Sequence, residues 1–194
     1  MKLISANFNF LVAHDVQLVR LGALAERYFT DDPNTCLIKL RQFGEVLAQL
    51  TAAKAGLFTS QDEPQADLLR RLKFERIVPR EIGDLFHHVR VVGNRATHAQ
   101  GGDYAEALTT IKIARQLGVW FHLTFSDKTF SSGPFVPPPD PAAATQAMRS
   151  ELERLRNEAN ESRSEAEQAR IAVETAAQER MSAEERARKE REER

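Results

Sequence analysis

The sequence predicts an all-α protein: a bundle of about five helices, then a proline-rich linker, then a long, charged, coiled-coil-like helix. Three observations predict it. Apolar residues recur at helical spacing in five successive stretches before residue 130. Strand signals are weak, because Val91-Val92 lies inside a helical pattern and Phe121 to Phe125 extends briefly at most. Every glycine and every aromatic residue lies at or before Phe135, while the remainder is dominated by Ala, Glu and Arg. The expected divisions are therefore a bundle at 1–130, a linker at 131–141 and a heptad helix at 142–194.

The first helix is expected near Phe10 to Phe29, where Val12, Val16, Val19, Ala23 and Leu24 keep helical spacing up to Thr30-Asp31-Asp32. Asp32 before Pro33 is a cap followed by a proline suited to the first helical position, so a second helix opens there. It runs through Leu37, Leu40, Val46, Leu47 and Leu50 to Gly56. Gln65 to about Phe74 forms a short third helix, and Pro79 opens the fourth. Gly101-Gly102 interrupts, Asp103 caps, and Tyr104 to about Thr124 forms the fifth.

The stretch Ser131-Ser132-Gly133-Pro134-Phe135-Val136-Pro137-Pro138-Pro139-Asp140-Pro141 is too rich in proline for helix or paired strand and reads as an extended linker. Beyond it, Met148, Leu152, Leu155, Ala159, Ser162, Ala166, Ala169 and Val173 follow alternating steps of four and three, the seam of a coiled coil. The seam is rich in Ala and Ser, which bury little area, so it favours a spacer stabilised by Glu and Arg pairs over a zipper. The sequence ends inside this charged helix at Glu192-Glu193-Arg194, and the expectation is that more protein follows in the natural product.

Composition narrows the function classes. A formal net charge of -1 supplies no overall basic field, so any nucleic-acid role requires a local patch. Cys36, the single cysteine, excludes an internal disulfide framework and paired-cysteine zinc sites, and it reads as a packed helical residue. No apolar run approaches the roughly 18 residues of a membrane span, and no signal peptide is evident, so the expected compartment is the cytoplasm. Phosphate-loop, dinucleotide, nucleophile-elbow and His-Glu-x-x-His patterns do not occur.

One stretch carries candidate chemistry. On the fourth helix, Ile82, Leu85, Phe86, Val89, Val92, Gly93 and Ala96 fall on one side at 100° per residue, whereas His87, Arg90, Asn94 and His98 fall on the opposite side. Arg90, Asn94 and His98 are successive i, i+4 neighbours. Arg90 is suited to a phosphate, Asn94 to its orientation, and His98 to acid–base work near neutral pH. A solvated helix face is the ordinary role of such a row, and His87 and His88 are not expected to hold a metal. Asp31-Asp32, next to Pro33, is a capping pair rather than an acid dyad.

Asp31-Asp32-Pro33-Asn34-Thr35-Cys36-Leu37-Ile38-Lys39-Leu40-Arg41-Gln42-Phe43-Gly44-Glu45, followed by Val89-Arg90-Val91-Val92-Gly93-Asn94-Arg95-Ala96-Thr97-His98, resembles the N-terminal region of the R subunit of type I restriction enzymes. Asn7 to Leu11, Leu117 to Phe121, the linker and the charged helix extend the resemblance over nearly the whole chain. It implies an accessory and docking module of a larger restriction endonuclease. The full-length form would carry ATP- and magnesium-dependent DNA translocation and site-specific cleavage elsewhere, and no cofactor would bind this part. Implied partners are the methyltransferase and specificity subunits, DNA through the full-length protein, and another R subunit by self-association, with no membrane.

The helical domain also resembles the HEPN-like superfamily, whose active ribonucleases place an Arg and a His about four to six residues apart. Here Arg90 to His98 is a longer step and Arg95 to His98 a shorter one. Asn94 and His98 match the more degenerate pattern, which implies a ligand or interface role and no catalysis. The alternatives are a free-standing HEPN-like ribonuclease or toxin using Arg90, Asn94 and His98, and a coiled-coil interaction adaptor.

Overall fold

The computed structural model describes residues 4–98, 102–140, 142–143, 145–146, 148–158, 160–164, 168 and 170. Among them every regular element is helical, with a 3-10 turn at Asn9–Ala13, α1 at Val16–Tyr28, α2 at Pro33–Lys54, α3 at Gln65–Phe74, α4 at Arg80–Thr97 and α5 at Tyr104–Phe125. No helix of the described residues is long and apolar enough to cross a membrane.

Local chemistry explains the helix ends. Asp15, Asp32 and Asp103 each accept a hydrogen bond from a backbone N–H two or three residues on, from Gln17, Thr35 and Glu106 respectively. Pro33 follows its cap at the first helical position, where its missing N–H costs nothing. α3 and α4 start instead after Pro64 and Pro79, whose carbonyls accept the first helical bonds from Leu68 and Gly83. α2 ends at Gly56, whose φ of 70° is the left-handed conformation that closes a helix, and the N–H of Leu57 then bonds back to Ala52. α3 ends the same way with Arg76 at φ 57°, a conformation that costs a residue with a Cβ.

The continuous first helix expected from Phe10 is corrected by the structure. The chain breaks at His14-Asp15, because the N–H of His14 closes the 3-10 turn onto Leu11 while Asp15 turns extended to cap α1. The spacing that suggested one helix misled on either side of the break, since Val12 and Val16 are exposed and the core is reached instead by Leu11, Leu18, Val19 and Leu21.

α2 is the central helix, packed against α1, α3, α4 and α5. Its buried residues include Leu37, Leu40, Phe43, Leu47, Ala48 and Ala52, more than one stripe, as a helix enclosed by neighbours requires. α4 approaches it closely at Gly93, where a Cβ would lie 2.4 Å from Cβ of Arg41. Phe8, Phe43, Phe86 and Phe121 are fully buried in the shared core. Cys36 is buried there too, and burial, with lesser contributions from Asp32 and Glu26, pushes its thiol up to about 12.

The first compact unit extends to Pro141, and a second begins at Ala142. Residues 131–140 form no regular secondary structure, Phe135 packs against the core, and the firmest side-chain bonds to the segment come from Asn7 and Arg115. The Asn7 side chain donates to the Val136 carbonyl at 2.7 Å and accepts from the Val136 N–H at 2.9 Å. Arg115 Nη2 donates to the carbonyls of Ser132 and Gly133 at 2.7 and 2.8 Å. In the second unit the described residues are helical, and Met148, Leu152 and Leu155 of the expected seam are exposed. Ala159, Ala166, Ala169 and every later seam position lie outside the described residues.

Candidate functional site

α4 carries the expected polar row on the side turned away from its core face. Phe86, Val89, Val92, Gly93 and Ala96 are buried, whereas His87 and His98 are exposed and Arg90 and Asn94 are half-buried. The amphipathic split read from spacing is therefore present. The row does not converge: no hydrogen bond joins Arg90 to Asn94 or Asn94 to His98 among the described residues. Arg90 Nη2 turns back instead to Nδ1 of His87, at 3.4 Å. His98 is the residue on which α4 ends, its N–H bonding to the Arg95 carbonyl. Arg95 pairs across to Glu106 of α5. His88 lies apart from the row, 3.5 Å from Oγ1 of the buried Thr110.

At its N-terminal end the row borders a groove between α3 and α4. Arg70 and Lys73 of α3 and His87 and Arg90 of α4 line a cavity of about 270 Å³ whose floor includes Leu69 and Gly83. Gly83 makes the groove possible, because a Cβ there would lie 1.7 Å from Cε of Lys73. Arg70 is bonded at 2.9 Å to Asp67 and Lys73 at 3.3 Å to Asp84, both pairs well exposed. Arg90 has no carboxylate partner among the described residues.

A second constellation joins the ends of the fold. Nε2 of His14 lies 2.9 Å from Nδ1 of His122, with Phe10, Phe121 and Phe130 packed around the two rings. Burial, followed by His122 and Lys54, holds His14 below the ordinary histidine range. Among the described residues there is no group of three or more His, Cys, Asp or Glu side chains fit to hold a metal ion.

Sequence reasoning located the row but missed the two α3 cations and the histidine pair. Arg70 and Lys73 share a face of α3 by their spacing of three, which was readable. That this face meets His87 and Arg90 depends on how α3 folds back on α4, and no local signal records it.

Over 136 residues, 69% of its length, the chain is 36% identical to the type I restriction enzyme EcoKI endonuclease subunit of Escherichia coli (strain K12). The matched stretch spans 11% of that protein. No family model matches the chain, and no solved structure does.

Proposed function

This chain is related to a region of a type I restriction enzyme endonuclease subunit, and we propose that it forms an accessory docking module of such a subunit. The observation that carries the reading is 36% identity over 136 residues, 69% of the chain. The bundle is HEPN-like in this reading, and its role is to bind protein rather than to cut nucleic acid. Arg90 on α4 and His98 at its C-cap lie about two turns apart and share no partner among the described residues, which supports binding over acid–base chemistry. Asn94 and His98, at the C-terminal end of the row, form the contact surface toward the methyltransferase and specificity subunits. DNA translocation and cleavage, with their ATP and magnesium, belong to other parts of the endonuclease subunit, and the charged helix after Ala142 is the connector toward them.

Co-purification tests this reading. Tagged full chain mixed with the methyltransferase–specificity complex should retain that complex, and the double variant Asn94→Ala/His98→Ala should retain less of it. Absence of retention by the unaltered chain would overturn the docking role. Degradation of RNA by the purified chain, lost in His98→Ala, would replace it with ribonuclease activity.

A further inference from the structure

We propose that the groove between α3 and α4 binds a phosphate of the DNA backbone, giving the docking module its own weak, sequence-independent hold on DNA. The inference rests on the reading of this chain as part of a DNA restriction endonuclease, and the chemistry comes from the groove.

Three cations from two helices converge on one concavity: Arg70 and Lys73 from α3, and Arg90 from α4, with the His87 imidazole beside Arg90. Arg90 is half-buried and faces no carboxylate among the described residues, so its planar guanidinium is left to a ligand with paired oxygens. Arg70 and Lys73 each hold one acid, Asp67 and Asp84, through exposed pairs of the kind that contribute at most about 1 kcal/mol. A phosphate oxygen can therefore exchange for either carboxylate at little cost. Those same carboxylates limit the net positive charge, which makes the hold weak and sensitive to salt.

The shape selects among anions that belong to larger molecules. About 270 Å³ accommodates a phosphate with several waters. No Phe, Tyr or Trp is among the residues that line the groove, so it lacks the large stacking platforms of single-strand binders. Lys73 lies over α4 because position 83 is glycine, where a Cβ would sit 1.7 Å from the lysine Cε, and this places its ammonium in the groove. Contacts of this kind position a duplex without reading its sequence.

Fluorescence anisotropy of the full chain with a short labelled DNA duplex, over a range of salt concentrations, tests the groove. The double variant Lys73→Ala/Arg90→Ala should weaken binding roughly tenfold at low salt and reduce the slope of log affinity against log salt by about 1, the share of one phosphate. Arg70→Glu, on an exposed side chain whose change leaves the core intact, should weaken binding at least as much. Arg27→Ala/Lys128→Ala, which removes the same charge away from the groove, should keep more of the affinity than either, with circular dichroism confirming the fold in each case. Four results would overturn the proposal: no binding by the unaltered chain at low salt, equal losses in groove and control variants, a tenfold preference for single-stranded RNA, or complete displacement by inorganic phosphate at matched ionic strength. Loss of DNA binding in the groove variants with co-purification intact separates this site from the docking surface, whereas absent co-purification overturns the underlying reading.

Discussion

His14 and His122 share a hydrogen bond of 2.9 Å across 108 residues of sequence, fastening the 3-10 turn ahead of α1 to the last turns of α5. One ring must present a bare nitrogen to the other's N–H, so at least one of the two is neutral in the folded protein. Phe121 lies against His14 at 4.8 Å between ring centroids and Phe130 against His122 at 4.4 Å, which limits the water that would solvate a second charge.

Acidification below neutrality should therefore destabilise the bundle. His14 titrates in the folded state below its ordinary value of 6.5, first because of burial and then because of His122 and Lys54. Between the folded value and 6.5 the unfolded chain binds a proton that the folded chain refuses, so this contribution is complete above 6.5 and is lost as pH falls through the folded value. The contributions of Asp32, Glu63 and Asp127, whose carboxyls are lowered chiefly by hydrogen bonds from Thr35, Arg71 and Thr129, are complete above about pH 5 and are lost only as pH falls below their ordinary values, so they leave the fall nearer neutrality to His14. Thermal unfolding followed from about pH 7.5 to about pH 5.5 should show a falling Tm, and His14→Gln should flatten that fall. An identical slope in the variant would remove His14 as its cause.

Three glycines should respond differently to alanine. At Gly22 a Cβ would lie 2.4 Å from Cδ2 of the buried Phe8, and at Gly93 it would lie 2.4 Å from Cβ of Arg41 and 3.1 Å from the Leu37 carbonyl oxygen. Neither neighbour can move freely, so Gly22→Ala and Gly93→Ala should each lose about 1–3 kcal/mol in denaturant unfolding. Gly83 faces only the flexible end of Lys73. Gly83→Ala gains about 0.8–1 kcal/mol of helix propensity and risks one exposed ion pair, so its stability should stay level or rise slightly. A clear loss at Gly83 would mean that Lys73 is held more rigidly than its exposure suggests.

The segment after α5 should come loose when its two anchors are cut. Asn7 exchanges two hydrogen bonds with the Val136 backbone and also donates to Glu26 at 2.8 Å, so Asn7→Ala removes three bonds at a buried position. Amide exchange at Val136 should accelerate by roughly tenfold or more, ahead of any change in the α2 amides. Arg115→Ala should raise protease cleavage within 131–136 for the same reason, because it frees the Ser132 and Gly133 carbonyls. Uniform acceleration across the bundle would point to global destabilisation instead.

Asp31 and Asp32 are adjacent acids with unequal roles. The Asp32 carboxylate accepts from the N–H and the hydroxyl of Thr35 at the start of α2. Asp32→Ala should cost about 1 kcal/mol, while Asp31→Ala, with no capping bond, should leave stability within about 0.5 kcal/mol. Equal losses at the two positions would show that local charge, rather than the cap, supports the helix start.

Much of the fold is legible in short stretches of sequence. Asp32-Pro33, Asp103, Pro64 and Pro79 mark helix starts, and the apolar spacing of α2 to α5 identifies their core faces, because caps and 3.6-residue periodicity act within one or two turns. The error at His14-Asp15 arose because Val12 and Val16 keep helical spacing across the break although both are exposed. The polar row of α4 was equally legible. Tertiary structure alone decided what these features meet. Arg70 and Lys73 reach His87 and Arg90 because α3 folds back on α4; Asn7 and Arg115 hold residues 132–136; His14 finds His122 at the far end of α5. Each of those meetings depends on how helices cross over a common core. That geometry is set by the sum of many buried contacts, and no local run of residues encodes it.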